Sequence, residues 1–338
     1  MAFRLKLVPD TTHLDFFRHA WATFGASMAM VVASVILVVT MGLNFGIDFR
    51  GGTTIRTEST GAVDVGAYRA AIAPLGLGDV SITEVFDPTF AADKHVAMIR
   101  IQAQEGAESV TPELIASVET ALHGVDETIS FPSVESVGPK VSGELIKTAV
   151  LAVVGATLAI LAYIWLRFEW QFAVGAVVAL IHDVTVTVGI FALFQLKFDL
   201  TIIAALLTIL GYSINDTVVV FDRLRENLVK FKTMPLRDVM NLSVNETLSR
   251  TVMTSGTTLI ALIALLVLGG DVIRGFVFAM TWGVVVGTYS SVFVAKNVVL
   301  FLGVNRDPKK KNDGDAKFFT EKLPDAPVKT PAAQNAAD

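Results

Sequence analysis

Six stretches of this chain are apolar for about as long as a bilayer is thick, and that length fixes the backbone conformation before any other property is considered. They run 22–43, 148–166, 172–194, 200–221, 251–268 and 275–295. Hydrocarbon offers no water to peptide N–H and C=O groups, so each stretch has to close its hydrogen bonds internally, as a helix. Composition agrees: 53% of the 338 residues are hydrophobic and 17% are charged. The expected class is a polytopic α-helical membrane protein with six transmembrane helices. A net charge of −5 supplies no basic face for a phosphate backbone, which argues against a nucleic-acid partner. With no cysteine in the chain, disulfides, thiol catalysis and cysteine-ligated metals drop out.

The first apolar stretch follows Arg4, Lys6 and Arg18 and is longer than the apolar region of a cleaved secretory signal, the alternative, so it reads as a retained signal anchor. Lysine and arginine in the short loops set the orientation. The N-terminus 1–21, Arg167, the loop 222–250 with Arg223, Arg225, Lys230, Lys232 and Arg237, and the tail with Arg306, Lys309, Lys310 and Lys311 are expected in the cytoplasm. Lys197 and Arg274 oppose this from the other side. Both termini are then cytoplasmic, and the segment 44–147 is exported.

That segment reads as a small folded α+β domain. Ile47 to Thr57, Val80 to Phe86, His95 to Gln102 and Thr128 to Val137 have strand-like composition or alternation. Val63 to Leu75 and Pro112 to Leu122 repeat apolar residues at helical spacing, the second behind Thr111 as N-cap. The order βαββαβ is the ferredoxin-like arrangement. Gly51-Gly52 is read as a turn or bulge, since no Lys-Ser or Lys-Thr helix start follows it to make a phosphate loop. The tail 305–338 mixes lysine with acids and then Pro, Ala, Asn and Gln, and is expected to be disordered.

Against this apolar background the ionisable residues stand out. Asp216 lies in the fourth span, nearer its cytoplasmic end, where a charged carboxylate costs roughly 2.5 to 3.5 kcal/mol. Thr208, Tyr212 and Asp216 follow at four-residue intervals, with Ser213 and Asn215 beside them. The third span carries His182-Asp183. The fifth opens with Ser249-Arg250 and continues Thr254, Ser255, Thr257, Thr258; the level of Arg250 makes an intermittent pair with Asp216 geometrically accessible. Arg250 as an interfacial anchor and Asp216 as helix glue are the bland alternatives. Gly283 and Gly287 form a GxxxG pattern in the sixth span, a weak signal of close helix contact.

The chain resembles the SecD and SecF family of bacterial protein-export membrane proteins, within the resistance-nodulation-division transporters. The marks are Phe45-Gly46-Ile47-Asp48-Phe49-Arg50-Gly51-Gly52-Thr53, Val137-Gly138-Pro139-Lys140-Val141, His182-Asp183, the run from Gly211 through Asn215-Asp216 to Asn227, and Leu248-Ser249-Arg250-Thr251. The resemblance covers residues 20 to 305. It implies a ferredoxin-like exported domain and a partner chain, SecD, that completes a pseudo-symmetric twelve-span unit. It further implies assistance to the SecYEG translocon, with YajC and YidC as associates and the translocating unfolded polypeptide as client, driven by the proton motive force across the inner membrane. In the family, the residues matching Asp216 and Arg250 belong to the proton path. Asp183 and His182 are added here as relay or structural members, with Tyr212, Ser213, Asn215, Thr254 and Thr257 lining the path. No catalytic residue, cofactor or metal is implied; the coupling ion is the proton, with sodium the alternative. Competing readings are a passive assembly factor that conducts nothing, a small-molecule exporter, and an intramembrane aspartyl protease using Asp183 and Asp216.

Overall fold

The computed structural model describes residues 12–78, 80–85, 94–102 and 111–304. The basic residues Arg4 and Lys6, Phe86 at the end of one expected strand, and the whole tail 305–338 lie outside the described residues.

Six helices are long and apolar enough to cross a membrane. They are α1 (Ala20–Met41), α5 (Pro139–Arg167), α6 (Trp170–Leu193), α7 (Leu200–Lys230), α8 (Leu236–Leu268), and α9 (Asp271–Phe293) continued by the short α10 (Ala295–Leu302). The four-residue helix α2 (Ile47–Arg50) and the helices α3 (Val65–Ile72) and α4 (Pro112–His123) belong to the segment between α1 and α5. α7 has 31 residues and α8 has 33. At 1.5 Å per residue these run to about 45–50 Å, well past the ~30 Å of hydrocarbon.

The segment 222–250, expected as a loop, is therefore a helical hairpin. Its charge density suggested a loop, but Phe221, Leu224, Val239, Met240 and Val244 recur at helical spacing and are buried. Glu246 joins the two arms, accepting from Arg223 Nε over 2.7 Å and from Asn227 Nδ2 over 2.6 Å. The chain entering α1 is clipped to α8. Asn245 exchanges hydrogen bonds of 2.9 Å with the backbone of Leu14, and Phe16 N donates to Asn241 Oδ1 over 2.9 Å.

Between α1 and α5 lies a four-stranded antiparallel sheet of β2 (Gly52–Ser59), β3 (Val80–Val85), β4 (His95–Gln102) and β5 (Ser130–Val137), in the spatial order β3-β4-β2-β5. α3 follows β2 and α4 follows β4. Each helix has the cap its sequence dictates: Asp64 accepts from Gly66 N and Ala67 N, and Thr111 Oγ1 accepts from Leu114 N. Ile55, Ile82, Ile99 and Ile101 of the sheet bury against Tyr68, Ile72, Val118 and Leu122 of the helices.

Ile47 to Thr57 was expected as one strand, and the structure divides it. Ile47–Arg50 is the helical turn α2, ended by Gly51 (φ 74) and Gly52 (φ 127), conformations open to glycine and strained for other residues. β1 (Asn44–Phe45) pairs in parallel with β6 (Lys197–Phe198) of the α6–α7 connection. Asp48 Oδ2 then accepts from Leu200 N over 3.0 Å, capping α7 from a distant part of the chain. Phe45, Phe49, Phe191 and Phe198 pack around this joint with ring centroids about 6 Å apart. The sheet is thus fixed to the first turn of α7.

Small residues let the helix backbones approach. A Cβ at Gly175 of α6 would stand 2.7 Å from the Ala295 carbonyl oxygen of α10, and one at Gly189 would overlap Ser34 of α1. On α9, a Cβ at Gly283 would overlap Ile209 of α7, and one at Gly287 would meet Ser213 Cβ at 3.1 Å. The GxxxG pattern is thus a real contact. Gly211 has open space around it. Gly283→Val should destabilise the chain by about 1–3 kcal/mol through overpacking, read as thermal unfolding in detergent. Gly211→Val, with the same helix propensity change, should cost under half as much; equal losses would remove the α7–α9 contact as the cause.

Candidate functional site: buried charges among four helices

The ionisable residues of the third and fourth spans are buried in the bundle on α6 and α7, α8 adds Thr251, and α9 adds hydroxyls. Asp183 has no exposed surface, His182 is 3% exposed and Asp216 is 4% exposed. Each would be costly if unpartnered.

Asp183 is fully provided for. Ser213 Oγ of α7 and Ser290 Oγ of α9 both donate to its Oδ2, over 2.6 and 2.7 Å, and His182 Nδ1–H donates to its Oδ1 over 2.9 Å. One carboxyl group therefore ties α6, α7 and α9 together. His182 Nε2 is buried without a hydrogen-bond partner and borders an apolar groove of about 120 Å³ between α1 and α6. The ring of Tyr289 lies 6.2 Å from the imidazole, and the Tyr289 hydroxyl reaches Ser27 of α1 at 2.9 Å.

Asp216 sits one helical turn beyond Ser213 and is poorly provided for. Thr251 Oγ1 of α8 donates to its Oδ1 over a long 3.4 Å, and its Oδ2 is buried with no partner among the described residues. The expected pairing with Arg250 is not present. Arg250 is exposed on α8 and acts on Asp216 only at a distance. Successive helical residues are turned by about 100°, so Thr251 facing inward directs its neighbour Arg250 outward.

The expected polar stripe also divides. Asp216 and Ser213 are buried, Tyr212 is half-buried, and Thr208 and Asn215 are exposed. Four-residue steps on a 3.6-residue helix drift about 40° each, so a stripe eight residues long leaves the interface. Thr254 and Thr257 donate to carbonyls of their own helix. Tyr212 instead reaches Ser255 of α8 at 3.4 Å, and Ser255 meets Thr288 of α9 at 2.7 Å. The polar contacts across α7, α8 and α9 thus run through Tyr212, Thr251, Ser255 and Thr288.

Lys296 is the residue that sequence reasoning overlooked. The sixth apolar stretch was ended at 295, which made Lys296 a flanking residue. The helix breaks at Val294 (φ −96, ψ −63) and resumes as α10, so the chain stays in the bundle. Lys296 has no exposed surface, and its Nζ has no hydrogen-bond partner among the described residues. Asp216 is the charged group that acts on it. A buried ion carries an effective desolvation penalty of several kcal/mol. The available signal was a lysine at the end of an apolar run, Phe293-Val294-Ala295-Lys296, with Val298-Val299-Leu300 beyond it.

Residues 117–305 match the family model described as protein export membrane protein SecD/SecF, C-terminal, and residues 36–63 match that of the SecD/SecF GG motif. The second range contains the joint at Gly46, Asp48, Gly51 and Gly52. The chain is 71% identical over 319 residues to the protein translocase subunit SecF of Cereibacter sphaeroides, covering 94% of this chain and 98% of that one. It is 69% identical over 326 residues to the protein translocase subunit SecF of Rhodobacter capsulatus, covering 95% and 98%. The crystal structure of SecDF from Thermus thermophilus, a translocon-associated membrane protein, superposes with a TM-score of 0.77 at 34% identity, covering 88% of this chain and 39% of that one.

Ser213→Ala and Ser290→Ala should each lower stability by about 0.6–1.7 kcal/mol, from the average to the largest value for hydrogen bonds between membrane helices. The double variant should lose more than the sum, because Asp183 Oδ2 is then left with no donor. Denaturant titration of the four proteins in mixed micelles measures this, and strict additivity would count against Asp183 as their shared acceptor.

Proposed function

The chain belongs to the SecD/SecF family of protein-export membrane proteins, and we propose that it acts as a protein translocase subunit in the bacterial inner membrane, coupling the proton motive force to export through Asp216. The observation that carries this reading is a buried carboxyl with one oxygen unpartnered, held between α7 and α8 in the span of a membrane bundle. A group left in that state is poised to exchange a proton, whereas the Asp183 carboxyl is engaged by three donors.

The reading includes both termini in the cytoplasm and the β-sheet domain on the exported side. The sheet order β3-β4-β2-β5, with a helix after β2 and after β4, supports a ferredoxin-like description of that domain. Fusion of a SecF-like part with further chain in the Thermus thermophilus SecDF, of which this chain covers 39%, supports a SecD partner. So does the exposed polar face of the bundle. Thr208, Gly211 and Asn215 of α7 and Arg250 and Thr257 of α8 are exposed, and of these Asn215 and Arg250 carry polar groups that lipid tails could not satisfy. Helices of SecD would cover them, and Arg250 would then serve an acid of the partner. The SecYEG translocon, YajC and YidC, with the unfolded polypeptide as client, complete the proposed assembly.

Energetics limits what one proton can do. Crossing about 100 mV releases about 2.3 kcal/mol, with about 1.4 more per pH unit. Inverting a two-state equilibrium from 1:99 to 99:1 takes about 5.5 kcal/mol. A single proton at an ordinary gradient swings the populations less than that, or acids of SecD contribute further protons. An aspartyl protease finds no support in the geometry: the Asp183 carboxyl is engaged by Ser213, Ser290 and His182, not by Asp216.

Asp216→Asn should abolish gradient-dependent export in proteoliposomes holding SecD and the translocon, while membrane insertion and co-purification with SecD stay at wild-type levels. Normal gradient-dependent export by this variant would overturn the assignment. Replacing the proton gradient with a sodium gradient identifies the ion.

A further inference from the structure

Lys296 is the single lysine or arginine without exposed surface among the described residues, and the coupling scheme above gives it no task. Its surroundings are defined. Ala295 lies against Gly175 of α6, Asn297 Nδ2 donates to the Ala20 carbonyl of α1 over 3.1 Å, and Val299 packs beside Gly175. Pinned on both sides along α10, the lysine has no path by which to extend its ammonium to the membrane surface as interfacial lysines do. Its Nζ lacks an acceptor, and Asp216 Oδ2 lacks a donor. The electrostatic neighbours are equally plain. Asp216 is acted on by Lys296 from α10 and by Arg250 from α8; on α6, the nearby acid Asp183 is held by Ser213, Ser290 and His182. Lys296 is acted on by Asp216.

We infer that Lys296 is the resident counter-charge of Asp216, the two forming a buried charge pair that draws together when Asp216 is ionised and separates when Asp216 is protonated. This rests on the proton-coupling reading of Asp216 and adds to it the group on which the proton acts. With the carboxylate ionised, the pair is neutral. A proton on Asp216 leaves the ammonium alone in an apolar surrounding, and the unfavourable charge falls on α10. Movement then starts at the break at Val294, where α9 and α10 already part. Arg250, on the outer face of α8, is left free to answer the partner chain.

The test uses the chain assembled with its SecD partner, in four forms: wild type, Asp216→Asn, Lys296→Met and the double variant. Lys296→Met should lower gradient-driven export at least about tenfold, and its residual export should show a pH profile displaced by about one unit. In thermal unfolding the double variant should be more stable than either single one, because each single change strands the other charge. Wild-type export by Lys296→Met, or unfolding effects that simply add, would overturn the counter-charge role. Asp216→Asn separates the two levels. If that variant fails to export while Lys296→Met exports normally, the lysine assignment alone falls. Normal export by Asp216→Asn removes the proton-coupling reading, and the role of Lys296 with it.

Discussion

The close approach of α7 to α9 is the contact on which the rest of the bundle depends. Gly283 admits Ile209 and Gly287 admits Ser213, so two helices meet nearly backbone to backbone. Only at that separation can Ser213 from one side and Ser290 from the other both reach the same oxygen of Asp183. In hydrocarbon a carboxyl group without such donors is a liability; with them it fixes the register of three helices. The glycines create the approach and the acid specifies it. Neither would hold the geometry alone.

The same helix α7 links this buried centre to the four-stranded sheet. Its first N–H group is capped by Asp48, and the strand pair β1–β6 ties the preceding residues to the start of the sheet domain. Asp216 lies sixteen residues further along, about 24 Å at 1.5 Å per residue. A rigid helix of that length passes a tilt or shift at one end directly to the other. The aromatic packing of Phe45, Phe49 and Phe198 leaves the sheet little freedom to move independently of α7. Mechanical coupling between the acid and the sheet domain then needs no intermediary beyond the helix itself.

The spans were legible in the sequence because length and apolarity suffice to define a membrane helix. The strands around Ile55 and Ile82 were legible from their strand-like composition, and the strand around Ile99 from its alternation. What was hidden depended on rotation and on breaks. The level of Arg250 was readable, but its direction is set by which residue of α8 turns inward, and that residue is Thr251. The helical hairpin through Arg223 and Glu246 was hidden because surface charges along two projecting helices look like those of a loop. Ile47–Arg50 was taken into a strand because β-branched and aromatic residues favour strands, whereas Gly51 and Gly52 permit a turn there that propensity cannot foresee. Lys296 was hidden because an apolar run appears to end at its first charge, although here the chain bends and stays inside.

Arg250 and Lys296 show that two cations near one acid need not play the same part. Arg250 lies on an exposed polar face, so its environment is completed by whatever covers that face, and its energy belongs to the assembled complex. Lys296 has no exposed surface, so its energy is set by groups within this chain. An external partner changes the first and barely touches the second. Asp216, acted on by both, stands where an internal charge balance meets one that depends on assembly. On the proposed coupling scheme, protonating it would perturb two equilibria together, the position of α10 inside the chain and the attraction of α8 for a partner outside. That double dependence is what would let one carboxyl group, under the proposed scheme, transmit a proton's energy in two directions.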